Sequence, residues 1–299
     1  MRKRRRLLPG GDDVPVLLIF FLLFYLLYPV YGVFQYVRPP RLGVRFAPPQ
    51  DHGVRYREVT FNSSDGLRLA GWYAPTRNGA AVILIHGYGG NRLAMLAHAK
   101  VLTARGYGVL LYDMRAHGAS EGRLFAAGWD AVADVQGALV YLQRQMGVRR
   151  DRVGVLGVSV GGQIALRAAA QTDELGAVVA DGPNPPTRQD VFPPRSALGW
   201  FYAPLNWIHE KALVWQTGVP VPAALCEQVP RIAPRPVLLI STGRGSEQRF
   251  VRKLHAASQE RADLWELPNA HHASGWLAQP EAYATRIGGF FDAALLTEA

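Results

Sequence analysis

The chain has 299 residues, 49% of them hydrophobic, which is enough to bury one large core or two small ones. Its formal net charge is +10, but Arg2, Lys3, Arg4, Arg5 and Arg6 supply half of that and the rest is thinly spread. With no basic helix and no aromatic-interleaved basic patch, nucleic acid is not an expected partner. The single cysteine, Cys226, excludes an intramolecular disulfide and a cysteine-rich metal site, and no metal or cofactor is expected.

Residues 1–13 are a basic tail. They precede "VPVLLIFFLLFYLLYPVYGVFQYV", residues 14–37, whose only strongly polar side chain is Gln35. As a helix this run would extend about 36 Å, enough for a hydrocarbon core of about 30 Å. Tyr25, Tyr28, Tyr31 and Tyr36 crowd the half where a membrane helix meets headgroups. Pro29 would kink it, which membrane helices tolerate. A cleaved signal peptide is the alternative. The run is longer than the usual apolar region of about 7–15 residues, however, and no A-x-A-like site follows. The expectation is therefore a retained single-pass transmembrane helix. Arg38, Arg41, Arg45, Arg55 and Arg57 follow it. Long domains nevertheless translocate largely regardless of charge, so the short tail should stay cytosolic and the domain extracytoplasmic.

"RPPRLGVRFAPPQDHG", residues 38–53, has four prolines and no hydrophobic period and reads as a stiff linker lifting a domain, residues 54–299, off the membrane. A chain starting near Val54 should be soluble and active. "VRYREVTF" and "LRLAGWYAP" flank the turn-like "NSSDG", which predicts a hairpin. The pattern then becomes strand, loop, helix, repeated. "AAVILIHG", "YGVLLYD", "RVGVLGV", "LGAVVAD" and "PVLLIST" are short continuous apolar runs, as in strands buried on both faces of a parallel sheet. Helix-like segments fall near 91–105, 129–146, 160–171, 246–258 and 280–296, so an α/β fold with helices on both faces is expected. Residues 183–235 break this rhythm with ten prolines and with Trp200, Phe201, Tyr202, Trp207 and Trp215. A long irregular stretch of that kind, too aromatic for disorder, reads as a cap inserted into the domain.

The strand "RVGVLGV" runs through Gly157-Val158-Ser159-Val160-Gly161 straight into a helix. Such an elbow lifts a serine above the carboxyl end of the sheet. Glycines two before and two after relieve the crowding, and the next helix aims its first amides at the same space. A G-x-S-x-G match alone is weak, but here the strand and helix it requires are both predicted. "VILIHGYGGN", residues 82–91, supplies a second part: a glycine-rich loop after a buried strand. Acyl transfer needs two backbone donors for an oxyanion, one after the nucleophile and one from such a loop, which nominates Val160 and Tyr88. His86 is expected to shape that loop.

With these parts the chain resembles the α/β-hydrolase superfamily, in particular serine hydrolases carrying "HGYGG" (86–90), "DMRAHGAS" (113–120), "GVSVG" (157–161) and "PNAHH" (268–272) in that order. The resemblance covers residues 54–299. It implies a mostly parallel central sheet of about eight strands and hydrolysis through an acyl-enzyme. It also implies that Asp113, Arg115 and His117 fix a loop rather than act on substrate. The base comes last in the order serine, acid, histidine, and the family spacing after Pro268 favours His272 over its neighbour His271. Relatives commonly place an aspartate in a turn after the seventh strand. Here "STGRGSEQRF" offers only Glu247 as the acid, with a helix-start glutamate as the lesser reading, and Asp181 after the sixth strand is the alternative acid.

The sequence thus predicts a membrane-anchored serine hydrolase of esters or thioesters, with Ser159 as nucleophile, His272 as base and Glu247 as acid. The aromatic cap residues Trp200, Phe201, Trp207 and Trp215 suggest a small-molecule or lipid ester with an apolar acyl group. A serine peptidase or lipid acyltransferase would use the same machinery. A non-catalytic binding module is the alternative of another class.

Overall fold

The computed structural model describes residues 13–44, 50–51, 54–243 and 245–297. The basic tail up to residue 12 and linker residues 45–49 and 52–53 lie outside them. Helix α1 (Asp13–Tyr36) is followed by a two-stranded antiparallel pair, β1 (Gln50–Asp51) and β2 (Val54–Arg55). The expected hairpin is β3 (Arg57–Asn62) and β4 (Arg68–Ala74), paired antiparallel with Phe61 opposite Leu69. Then come β5 (Ala81–Ile85), α2 (Leu96–Ala104), β6 (Gly108–Tyr112), α3 (Val132–Gln143), β7 (Val153–Val158), α4 (Val160–Ala169) and β8 (Ala177–Asp181). After α5 (Ala197–Thr217) and α6 (Leu225–Gln228), the chain returns to β9 (Val237–Thr242), α7 (Gly245–Ala257), β10 (Asp263–Leu267), α8 (Gly275–Ala278) and α9 (Pro280–Leu295).

Eight strands form one sheet in the order β10-β9-β8-β7-β5-β6-β4-β3, parallel from β10 to β6 and antiparallel at β4 and β3. The continuous apolar runs follow from this. Side chains alternate across a strand, so Ile83, Leu110, Val155 and Leu239 face α3, α4 and α7, while Val82, Val109, Leu156 and Leu238 face α2 and α9. Both faces are covered, so no face of these strands can be polar.

Two segments differ from expectation. Residues 183–235 are not mainly irregular: α5 is a 21-residue helix that passes through Pro204. Proline there lacks the N–H that would bond the Trp200 carbonyl, a local cost the helix tolerates. Residues 38–44 do not stand off as a spacer. Pro39 is buried, Arg41 donates to the Ser120 carbonyl at 2.9 Å, and the Leu42 carbonyl accepts from Asn91 Nδ2 at 2.9 Å. The last turn of α1 joins the domain as well, where Val33 and Val37 are fully buried in a cluster with Ala126, Trp129, Ala212 and Leu213. Farther toward its N-terminus α1 exposes apolar side chains, including Phe20, Phe24 and Leu27.

Candidate active site

At the end of β7 the chain turns so sharply that Ser159 takes φ 56° and ψ −119°, a conformation that non-glycine residues rarely adopt. The flanking glycines are required by space. A Cβ on Gly157 would sit 2.0 Å from the Gly161 carbonyl oxygen, and one on Gly161 would sit 2.4 Å from that of Ile85. The elbow is closed by the Ser159 amide, which donates to the Asp181 carbonyl at 2.7 Å.

Ser159 Oγ lies 2.8 Å from His272 Nε2, and His272 Nδ1 lies 2.5 Å from Glu247 Oε2. With Nδ1–H donating to the carboxylate, Nε2 is left to accept from the serine hydroxyl. Glu247 comes from the first turn of α7 and is buried, while the histidine is half exposed. The other carboxylate oxygen, Oε1, accepts from the Thr242 amide at 2.7 Å and its hydroxyl at 2.6 Å. Thr242 Oγ1 in turn accepts from the Ala273 amide at 2.9 Å, tying the histidine loop to the same point. The hydrogen bond to Glu247 raises the His272 pKa above its ordinary value, against the opposing effect of burial.

Asp181 is fully buried and does not bond the imidazole. It accepts from the Tyr283 hydroxyl at 2.6 Å, and burial pushes its pKa up to about 6. His271 is exposed, and its carbonyl accepts from the Ser274 amide at 3.1 Å.

The glycine loop rests on two buried histidines. The Met114 amide donates to His86 Nε2 at 3.1 Å, so Nδ1 carries the proton and donates to the Gly87 carbonyl at 2.7 Å. Burial lowers the His86 pKa to about 3, which keeps it neutral. His117 accepts from the Gly89 amide at 3.2 Å, and Gly90 donates to Gly87. Those two amides are therefore spent on the loop, and a Cβ on Gly87 would lie 3.3 Å from that of Ser159, so loop and elbow are adjacent. Asp113 accepts from the Arg92 amide at 2.8 Å and the Ala119 amide at 2.9 Å, while Arg115 is buried among Asp65, Asp130 and Asp134. The 113–120 segment holds the loop in place.

Trp200, Phe201, Trp207 and Trp215 make no hydrogen bond or ring contact with Ser159, His272 or Glu247 among the described residues. Their rings are exposed, Trp215 by 76% and Trp200 by 66%. A cavity of about 210 Å³ is lined instead by Tyr36, Trp129, Gln163, His209 and Leu213 with the chain around Asn184–Arg188. Two residues with clear positions here, Thr242 and Tyr283, were not singled out from sequence, and Tyr36 was read only as a membrane-boundary tyrosine. Tyr36 stacks on Tyr88 at 4.5 Å between ring centroids, and the Tyr88 hydroxyl donates to its carbonyl at 2.9 Å. The only sequence signal for Thr242 is a polar pair, Ser241-Thr242, closing an apolar strand.

A helix-covered parallel sheet with antiparallel strands at one edge and a serine at the elbow after its central strand defines an α/β hydrolase. The sequence profile of the Alpha/beta hydrolase family matches residues 82–286, and the chain belongs to that family. Among solved structures it is similar to an esterase of Pyrococcus furiosus, at 26% identity and a TM-score of 0.69, over 87% of this chain and 98% of that one. Among curated proteins it is 31% identical over 188 residues to YfhR of Escherichia coli, an uncharacterized protein, spanning 58% of this chain and 63% of the relative. It is 35% identical over 118 residues to the thiohydrolase aneE of Aspergillus aculeatus, spanning 38% of this chain and 37% of the relative. The match therefore spans less than two thirds of either curated relative.

Proposed function

We propose that this protein is a membrane-anchored serine hydrolase that cleaves carboxylic ester or thioester bonds through an acyl-enzyme. The observation that carries the reading is the continuous line Ser159 Oγ, His272 Nε2, His272 Nδ1, Glu247 Oε2, with contacts of 2.8 and 2.5 Å. As Ser159 Oγ attacks the carbonyl carbon, His272 Nε2 takes its proton and Glu247 stabilises the imidazolium. The amides of Tyr88 and Val160 receive the oxyanion. When the tetrahedral intermediate collapses, His272 returns the proton to the departing alcohol or thiol. Water, activated by the same imidazole, then releases the acid and restores Ser159. An esterase and a thiohydrolase among the relatives agree with this bond class.

The anchor reading is supported by α1, whose Leu18–Tyr36 portion is long and apolar enough to cross a membrane. The short basic tail supports an orientation with the domain outside the cytosol. A fluorophosphonate probe tests the chemistry: it should label the wild type and not Ser159→Ala. A series of p-nitrophenyl esters and thioesters of graded length then fixes the substrate class. Labelling that survives Ser159→Ala would overturn the assignment. Retention of the full chain in membranes through an alkaline carbonate wash tests the anchor, and release would remove it.

A further inference from the structure

The exposed aromatic residues of α5 have a specific setting. Ala197, Leu198, Trp200, Phe201 and Tyr202 are all exposed, so this end of the helix does not lie with one face on a core. No charged side chain occurs from Ser196 through Ile208. This stretch does touch α1. Phe201 packs on Phe21 and Tyr25, with ring centroids 6.1 and 5.0 Å apart, and the Tyr25 hydroxyl donates to the Phe201 carbonyl. Farther along, Tyr36 meets His209 at 6.3 Å, and Arg38 Nη1 donates to Gln216 Oε1 at 3.2 Å. The two helices run side by side in the same direction, over a rise of about 16 Å from Tyr25 to Tyr36.

That pairing constrains how α1 can sit in a bilayer. Its 24 residues rise about 36 Å against a hydrocarbon core of about 30 Å. A placement that spends α1 on crossing the core therefore immerses Tyr25, and Phe201 goes with it. We propose that the N-terminal half of α5 inserts beside α1 into the leaflet nearest the domain, and that phospholipid covers its aromatic face. This rests on the reading of α1 as a membrane helix.

The side chains suit that occupant. Tryptophan and tyrosine favour the boundary between headgroups and hydrocarbon. Arg38, Arg41 and Arg123 line a hollow at the end of α1, and Lys211 follows Trp207 by one turn, with Nζ 6.0 Å from its ring. Cations at those positions complement lipid phosphates. Arg195, exposed just before the helix, lies deeper than Phe201 on this placement and has to reach phosphate or water by snorkelling along its stem. The cavity bordered by Tyr36, His209 and Leu213 lies at the base of the helix pair, and Gln163 in its wall is one turn along α4 from Ser159. Substrate would then arrive as a lipid ester from the leaflet.

The test uses the full chain with Cys226→Ser, single cysteines at Leu198, Trp200 or Trp207, and an environment-sensitive fluorophore on each. Phe20→Cys reports α1, and Met146→Cys and Leu277→Cys report exposed apolar positions on other elements, 96% and 80% accessible. In phosphatidylcholine vesicles with brominated acyl chains, positions 198, 200 and 207 should blue-shift and be quenched as position 20 is. Positions 146 and 277 should do neither. Quenching at 20 with none on α5 overturns the proposal and leaves the anchor standing. A blue shift on α5 without quenching means that protein, such as a second copy, covers the face, and it also overturns the proposal. An unquenched position 20 overturns the membrane reading of α1 itself.

Discussion

Glu247 reaches the imidazole from the first turn of a helix, and its second oxygen is fixed by both donors of Thr242. Glu247→Gln keeps the shape and loses the charge, so kcat should fall by up to ~10⁴, as for other acid members of such triads. Ser159→Ala and His272→Ala should be at least as damaging, and the losses should not add, which steady-state kinetics on a p-nitrophenyl ester will show. The pH profile is a second readout. His272 must be neutral to accept a proton, and its pKa is held above the ordinary 6.5 by the Glu247 hydrogen bond. The acid limb of kcat/KM should therefore lie above pH 6.5 in the wild type and move down in Glu247→Gln, and a limb that stays put would separate Glu247 from His272. Asp181 behaves differently because its folded pKa is raised, from 3.8 to about 6, by burial. Its contribution to stability is complete below pH 3.8 and is lost as pH rises through about 6. Asp181→Asn should accordingly keep most activity and gain Tm relative to wild type at pH 8 compared with pH 4; a pH-independent difference in thermal melts would refute this. The pairing of Ser159 with a histidine after Pro268 was legible because short motifs mark both positions. The carboxylate that meets His272 was legible only as a choice between Glu247 and Asp181, because Asp181 turns toward Tyr283, a residue of a distant helix.

Among the elements, the elbow between β7 and α4 leaves little room for change. Gly161→Ala would drive a Cβ to 2.4 Å from the Ile85 carbonyl oxygen, a backbone atom in a central strand. The cost should be about 3 kcal/mol or more, at or above the usual upper end for overpacking, measured as a drop in the urea midpoint. Unchanged stability would mean that the elbow can open, with the serine displaced. The strands themselves were readable because both sides of β5, β6, β7, β8 and β9 are buried, which writes each as an unbroken apolar run. Helix α5 was not readable as a helix. Its prolines and aromatics mimic an irregular cap, and its partner surface on α1 lies more than 170 residues away. The packing of residues 38–44 was hidden for a similar reason: Arg41 and Leu42 are held by Ser120 and Asn91, contacts that composition cannot reveal.

For the whole molecule, the N-terminal helix, on the proposed reading a membrane anchor, also packs its last turn onto the domain. A chain beginning at Val54 retains every strand of the large sheet. It loses Val33 and Val37 from the cluster around Leu213, and Tyr36 from the face of Tyr88. It should fold and stay soluble, but with lower kcat/KM on a short water-soluble ester than the full chain in detergent. Equal rates would show that the Tyr36 stack adds nothing to the loop. Protease added to intact cells or spheroplasts should digest the domain, and complete protection until lysis would reverse the orientation. The stack between Tyr36 and Tyr88 also bears on what becomes of copies that leave home. A protein clipped from its anchor, or pulled out by a harsh detergent, would travel with its hydrolytic power turned down. On the proposed reading, the tether would act as a safety interlock on the hydrolase.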